Sequence, residues 1–202
     1  MEENFRECYH CPVGHPEYCR IVMPSGEAPE EIAAFRAAQR ERWARAGLSL
    51  LDVDFAPDNG FHCARYPMRR GFVSESLDGQ PVAPLLGRLE DRDAGILAIV
   101  MFPNFWFEAS SDYVCSMRRT PVSPTLCEVE ASWLVHEDAV EGRDYDVDRV
   151  TAFWRTTGEQ DWTLCENNQA GVNSSRYRPG PYALSERGPE TFVQWYLRQL
   201  TA

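Results

Sequence analysis

The stretch Glu2-Glu-Asn-Phe-Arg-Glu-Cys-Tyr-His-Cys-Pro-Val-Gly-His-Pro-Glu-Tyr-Cys19 concentrates the residues of this chain that bind metals. It holds two of the four histidines, His10 and His15, and three of the seven cysteines. Imidazole and thiolate groups are common ligands of transition metals. The stretch therefore predicts a metal site, and more distant parts of the chain must complete it.

The spacing of the two histidines constrains the backbone between them. Each residue of an α-helix turns by about 100°, so positions five apart lie about 140° from one another. We predict a short helix over residues 2–11 that Pro12 ends, with Gly14 and Pro16 keeping the next residues irregular. His10 and His15 can then share one ion because the chain leaves the helix between them.

The remaining pattern predicts helices around a block of strands. Apolar spacing and end signals predict helices over 28–46, 146–169, with Asp148 as its N-cap, and 190–200. Strands are predicted over 48–55, 61–66, 71–74, 96–102, 105–110, 113–119 and 126–135. Residues 76–93 are rich in Gly, Pro and Asp and predict an exposed loop. This order predicts an α+β fold with an antiparallel sheet.

Composition narrows the class of protein. The 202 residues predict a single domain, 1–202, and the net charge of −11 argues against a nucleic-acid partner. The first residues are polar and acidic, unlike a signal peptide, and no apolar run approaches the roughly 20 residues of a membrane helix. We therefore expect a cytoplasmic protein whose scattered cysteines are reduced thiols.

A third metal ligand is predicted on the second long helix. Asp161 falls on the same side of that helix as Trp154 and Thr157, which is its inward side. A buried carboxylate must be paired or bound to a cation. Two histidines and one carboxylate on one face of iron form the facial triad of non-haem Fe(II) oxygenases. His10, His15 and Asp161 are the predicted ligands.

A series of motifs resembles one known family. The segment Glu3-Asn-Phe-Arg-Glu-Cys-Tyr-His-Cys-Pro-Val-Gly-His-Pro16 resembles the mononuclear-iron motif of the Rieske-type aromatic-ring-hydroxylating oxygenase large subunits. Within that family, the segment most resembles the branch of choline, carnitine and glycine-betaine oxygenases. The resemblance continues through Leu77-Asp-Gly-Gln-Pro-Val-Ala-Pro-Leu-Leu-Gly87, Phe102-Pro-Asn104, Ser111-Asp-Tyr113, Trp133-Leu-Val135, Gln160-Asp-Trp162, Cys165-Glu-Asn-Asn-Gln-Ala-Gly171 and Tyr177-Arg-Pro-Gly-Pro-Tyr182. It covers nearly the whole chain.

The resemblance implies a fold and roles for individual residues. The family's catalytic domain has a helix-grip architecture, a curved antiparallel sheet around a long helix. His10, His15 and Asp161 match its iron ligands. Glu7 matches the acidic residue that bridges the iron site to a neighbouring subunit's iron–sulfur cluster and helps to pass electrons. An alternative for Glu7 is a solvent-exposed helix acid with no electron partner.

The resemblance also suggests a substrate cavity. Asn4 and Thr157 fall where family members line that cavity, and Trp154 and Phe107 are further substrate-binding candidates. Phe107 belongs to an aromatic cluster with Phe102, Phe105 and Trp106. That cluster suits core packing, or else a cavity wall that holds a quaternary ammonium group by cation–π contact.

The predicted partners follow from one departure from the family. A Rieske centre needs two Cys and two His, supplied there as Cys-x-His and Cys-x-x-His. This chain has no Cys-x-x-His, so we expect it to hold Fe(II) and no [2Fe–2S] cluster. Electrons would come from an external Rieske or ferredoxin protein and its reductase. The other expected partners are O₂, a small aromatic or quaternary-amine substrate and, from the family's usual assembly, two further copies in a homotrimer.

Two alternatives compete with the oxygenase prediction. Cys8, Cys11, His15 and Cys19 offer four ligands in twelve residues, which would suit a structural zinc ion. The chain could instead be a helix-grip module that binds an apolar ligand without catalysis. Under either alternative, the iron chemistry of the family would be lost.

Overall fold

The computed structural model describes residues 1–22 and 27–201. Short helices α1 and α2 and the longer α3 precede five strands, and α4 and α5 follow them. The bounds are α1 Cys11–Gly14, α2 Pro16–Ile21, α3 Pro29–Arg45, β1 Phe61–Tyr66, β2 Ile96–Met101, β3 Phe105–Ala109, β4 Val114–Ser123, β5 Leu126–Leu134, α4 Val147–Val172 and α5 Arg187–Thr201. Two 3₁₀ turns lie at Asn4–Arg6 and Leu184–Glu186. The predicted α+β class is confirmed.

The strands form one antiparallel sheet in the order β1-β2-β3-β4-β5. Ala98 pairs with Glu108, and Glu108 pairs with Cys115, so these residues lie in one row on the same face of the sheet. Trp106 and Met117 form the next paired row on that face. Because side chains alternate across a strand, every second residue of β2, β3 and β4 faces the helices.

Helix α4 covers this face of the sheet. Its inward side buries Val150, Phe153 and Trp154, and the Trp106 and Trp154 ring centroids are 4.6 Å apart. Asp146, rather than the predicted Asp148, is the N-cap, since its carboxylate accepts a hydrogen bond from the Arg149 N–H at 2.9 Å. A carboxylate at the N-cap reaches the amide three residues on, a distance that fits Asp146.

Two predicted strands do not form. Within 48–55 only Val53 bridges a strand residue, Cys63, and 71–74 is a turn region whose Val73 N–H donates to the Gly79 carbonyl. The predicted loop over 76–93 is irregular but only partly exposed, because Val82 is buried and its N–H donates to Asp112. Buried backbone groups there are satisfied by a carboxylate instead of a sheet.

The first predicted helix is also wrong in its position. Residues before His10 form only a 3₁₀ turn, and Pro12 lies in the first turn of α1 instead of ending a helix. Proline suits a helix start because its missing N–H has no intrahelical partner there. Helix α3 matches its prediction closely and buries Trp43. No helix among the described residues is long and apolar enough to cross a membrane.

Candidate metal centre

The backbone brings the two histidines together by breaking at His15. His10 directly precedes the single turn of α1, and His15 separates α1 from α2 with φ −130° and ψ 65°. The exit from the helix is therefore at His15, after the predicted Pro12–Gly14 exit. Asp161 reaches the same point from α4, 146 residues away from His15 in sequence.

Three ligand atoms converge at this point. His10 Nε2 and His15 Nε2 are 3.1 Å apart, and Asp161 Oδ1 is 3.3 Å from the first and 3.1 Å from the second. The three side chains expose 14%, 3% and 7% of their surface, so water solvates them poorly. The structure thus brings together the three residues that the sequence predicts as ligands.

The outer atoms of the histidines are held by hydrogen-bond acceptors. His10 Nδ1 lies 2.7 Å from Glu7 Oε1, and His15 Nδ1 lies 2.8 Å from Gln160 Oε1. The orientation of Gln160 is fixed because its amide donates to Glu17. Each Nδ1 therefore carries the proton, and in a neutral imidazole the Nε2 is then an unprotonated acceptor.

Two imidazole lone pairs and one carboxylate oxygen consequently point at a single position. Such a group of acceptors is unfavourable without a cation between them. Ligand atoms bound at about 2.1 Å and at right angles around one ion lie about 3 Å apart, close to the separations seen here. The outer hydrogen bonds to His10 and His15 are of the kind that orients metal-binding histidines. The residues therefore fit a divalent ion.

The charge state of His15 depends on the same contacts. Burial disfavours its charged form, yet hydrogen bonds to Asp161 and Gln160 raise the pKa of His15 above its usual value. A proton at Nε2 would be the alternative to a metal ion as the positive partner of Asp161.

A cavity of about 110 Å³ adjoins the three ligands. Asn4, Thr157 and Trp154 line it, as the sequence predicts for substrate-binding residues. Asn4 also contacts a ligand, since its amide lies 2.5 Å from Asp161 Oδ1. Phe107 does not line the cavity, because its neighbours Trp106 and Glu108 on β3 occupy the cavity face of the sheet.

Glu7 is not the solvent-exposed helix acid that the sequence allowed as an alternative. Only 7% of its side-chain surface is accessible, and it precedes α1 in extended backbone instead of lying on a helix. Its second oxygen accepts the Tyr9 N–H at 3.0 Å. Glu7 thus orients His10 directly, whatever further role it has.

The expectation of reduced cysteines is wrong for one pair. Cys8 and Cys11 form a disulfide, while Cys19, Cys63, Cys115, Cys127 and Cys165 are free. The Cα atoms of a Cys-x-x-Cys turn are close enough for this bond, here 5.0 Å apart. A disulfide offers no thiolate ligands, so this arrangement disfavours the zinc site built on Cys8, Cys11, His15 and Cys19.

Several site residues are absent from the sequence-based prediction. Gln160 orients His15, and its only sequence signal is its position beside Asp161. Tyr18 and Glu108 line the cavity from α2 and β3, at positions that the linear pattern does not connect. The inward register of β3 could have indicated Glu108, since it places an acid on a buried face.

Glu108 is paired with a second buried acid, Glu75. Burial raises the pKa of both, that of Glu75 strongly, and each of the two carboxyls influences the pKa of the other. Glu75 also accepts a hydrogen bond from the Ser110 hydroxyl at 3.0 Å. Burial and the neighbouring acid both favour the neutral form of Glu75, so the two carboxyls are not expected to be charged together.

The ring hydroxylating alpha subunit (catalytic domain) family matches residues 1–202. The chain belongs to this family. It is 38% identical over 201 residues to the oxygenase subunit of glycine betaine monooxygenase from Chromohalobacter salexigens, an alignment covering 96% of this chain and 45% of that protein. The corresponding subunit from Pseudomonas aeruginosa is 36% identical, with 98% and 47% covered. The chain thus spans about half the length of these curated relatives.

More distant similarity extends the same comparison. The chloroplastic choline monooxygenase of Atriplex hortensis is 26% identical over 95 residues, covering 46% of this chain and 22% of that protein. A crystal structure of the quaternary ammonium Rieske monooxygenase CntA with an inhibitor superposes with a TM-score of 0.54 and 14% identity. That alignment covers 98% of this chain and 43% of the solved chain, and it supports the fold alone.

Proposed function

We propose that this catalytic domain belongs to a monooxygenase that uses mononuclear non-haem Fe(II) and O₂ to hydroxylate a quaternary ammonium compound. The observation that supports this most is the convergence of three acceptor atoms, from His10, His15 and Asp161, beside a cavity. The substrate class is suggested by relatives named as glycine betaine and choline monooxygenases. We extend the proposal to the helix-grip architecture, which the contact of α4 with one face of the sheet supports.

In this proposal the protein's own side chains prepare the site. Glu7 and Gln160 keep protons on the Nδ1 atoms of His10 and His15, so that both Nε2 atoms face the ion. Asn4 holds Asp161 in place. Iron would supply the one-electron and O₂ chemistry that side chains lack. Thr157 and the aromatic walls would position the substrate and keep water out.

Electrons would come from a Rieske cluster and reductase outside these 202 residues, because the sequence has no Cys-x-x-His. In a trimer, Glu7 would lie between its own His10 and a cluster of a neighbouring subunit. Its short contact with His10 suits that role.

Metal content tests the proposal most directly. Purified wild type and Asp161→Ala would be loaded anaerobically with Fe(II), desalted and measured by elemental analysis. We expect about one iron per wild-type chain and a loss of affinity greater than about 100-fold in the variant, more than removal of an outer hydrogen-bond partner costs.

An Asp138→Ala variant is the matched control, because Asp138 is an exposed carboxylate outside the cluster. Equal iron in wild type and Asp161→Ala would overturn the proposed ligand set. Zinc retained by both wild type and Asp161→Ala would support the alternative of a structural zinc site. Ligand binding by protein that takes up no metal would favour a non-catalytic binding module.

A further inference from the structure

Glu108 lies where three cavities of the molecule meet. It lines the 110 Å³ cavity beside the metal ligands, a cavity of about 290 Å³ and one of about 230 Å³. The proposed iron chemistry gives this carboxylate no task. Its position on a buried sheet face carries a desolvation cost, so the environment of Glu108 needs an explanation.

Among residues 1–22 and 27–201, no positive side chain is among the groups that shift the pKa of Glu75 or Glu108. The groups that influence the pKa values of the pair are the two acids themselves, Ser110, Asp112 and Trp106, and none of these is a cation. Neither Glu75 Oε1 nor Glu108 Oε2 receives an N–H or O–H donor from another group among the described residues. The strongly raised pKa of Glu75 favours its neutral form, which would leave the negative charge of the pair on Glu108.

Five arginines line the two larger cavities that Glu108 also lines, and none of them lines the cavity beside the metal ligands. Arg36, Arg69 and Arg70 line the 230 Å³ cavity. Arg6 and Arg119 line the 290 Å³ cavity but not the cavity beside the metal ligands. Both form ion pairs with Glu2. The 110 Å³ cavity is therefore lined by the acids Glu7, Glu108 and Asp161, and its basic side chains are the two ligand histidines.

Aromatic side chains form the rest of that wall. Phe5, Tyr18, Trp106 and Trp154 line the same 110 Å³ cavity. Trp106 packs edge-on to Trp154, and Tyr18 lies 5.9 Å from Trp154 between ring centroids. Trp154 is 4% exposed and its indole N–H has no acceptor in the described protein, so this wall also holds an unsatisfied donor.

We propose that Glu108 recognises the positively charged group of the substrate, with Glu75 as the positioning residue that holds its carboxylate. A quaternary ammonium group has no N–H to donate and is bound by aromatic faces and negative charge, which are the two features of this cavity. The inference rests on the proposed function and deepens it by naming the residue that would select cations.

The test compares choline with its neutral isostere, 3,3-dimethylbutan-1-ol. Isothermal titration calorimetry on Fe(II)-loaded, anaerobic protein would give the ratio of the two dissociation constants for each variant. We expect wild type to prefer choline by about tenfold or more, the equivalent of one buried charge contact. Glu108→Gln should reduce this preference to less than about threefold, because the amide keeps the shape and removes the charge.

The variant Glu75→Gln is expected to behave in the opposite way to Glu108→Gln in this test. A glutamine there stays neutral and can donate its N–H to Glu108, so Glu108 stays charged. We expect this variant to keep or increase the preference for choline. Loss of the preference in Glu75→Gln would overturn the proposal even if Glu108→Gln failed to fold.

The remaining outcomes separate the inference from the function on which it rests. Glu130→Gln, an exposed carboxylate on β5, is the control and should match wild type. A wild-type preference that survives in folded Glu108→Gln overturns the role of Glu108 and leaves the proposed function standing. If neither choline nor glycine betaine binds iron-loaded wild type, the proposed substrate class fails, and the role of Glu108 fails with it.

Discussion

Two groups of polar side chains lie beside the 110 Å³ cavity, the second reaching it only through Glu108, and they differ in how their charge is balanced. In the ligand cluster, the outer nitrogen of each histidine has a protein partner, and only the inward atoms of His10, His15 and Asp161 lack a positive charge. In the acid pair, burial and the neighbouring carboxyl raise the pKa of Glu75, which favours its neutral form. The first group is preorganised for a divalent ion, whereas the second can lower its charge by keeping a proton.

This difference shows how buried charge is stabilised in the ligand cluster and in the acid pair. Three acceptors pointing at one position cannot relieve each other, because none of them has a proton to give. Two carboxyls can, since the pKa of one rises until it keeps its proton. The first geometry therefore needs a positive partner, either a metal ion or a proton on His15, while a cationic ligand is only favoured by the second.

Removing an outer partner of the ligand cluster should have the largest effect of the variants that sharpen this comparison. Gln160→Ala leaves all three ligands but frees His15 Nδ1 and the ring orientation. We expect Fe(II) affinity to fall by about 10- to 100-fold, as measured by competition with a chelator. Thr163→Ala on the same helix is the control, because Thr163 is exposed and bonds only to its own backbone. An unchanged affinity in Gln160→Ala would show that the cluster does not depend on its outer shell.

The Glu75–Glu108 pair should make the free energy of unfolding depend on pH. Because the pKa of Glu75 is raised on folding, the native state binds more protons than the unfolded state above the ordinary value of 4.5. The free energy of unfolding should therefore fall as pH rises from about 4.5, by at most about 1.4 kcal/mol per pH unit for one proton.

Glu75→Gln should make this slope shallower, as measured by urea denaturation of metal-free protein at several pH values. The corresponding variant of the exposed acid Glu130 should keep the wild-type slope. A Glu75→Gln slope equal to that of wild type would mean that Glu75 does not keep its proton.

The smallest effect is expected on the opposite face of the sheet. Phe107→Leu should change choline affinity by less than about twofold and lower the free energy of unfolding by about 1 kcal/mol. Trp106→Leu, one residue earlier on the cavity face, should weaken choline binding distinctly. Titration calorimetry and denaturation of both variants would check this. A larger binding defect in Phe107→Leu than in Trp106→Leu would mean that Phe107 lines the cavity after all.

The sequence predicted much of the scaffold because local rules apply there. Helix α3 begins with a proline and is followed by Gly47 at φ +71°, which only glycine adopts readily, and its bounds match the prediction. Strands β1 to β5 appear where alternating apolar residues predict them. The strands predicted over 48–55 and 71–74 fail because a strand needs a partner, and pairing is a property of the tertiary structure.

The candidate site also has parts that the sequence predicted and parts that it did not. The residue types around His10 and His15 and the inward side of α4 predicted three candidate ligands, which the structure brings together. The family resemblance pointed to Asn4 and Thr157, which line the adjacent cavity with Trp154. Phe107 was assigned to the cavity because an aromatic run gives no register by itself, and a one-residue shift reverses the face.

By itself, the sequence determined the family, the fold class and the ligand candidates, since these depend on residue type and on spacing along the chain. Only the tertiary structure decided that Gln160 and Glu7 orient the histidines, that Cys8 and Cys11 are joined, and that Glu75 meets Glu108. Each of these depends on side-chain direction or on residues distant in sequence. Burial then changes their chemistry, because a carboxyl removed from water keeps its proton or binds a cation, and no linear pattern states which side chains lose their water.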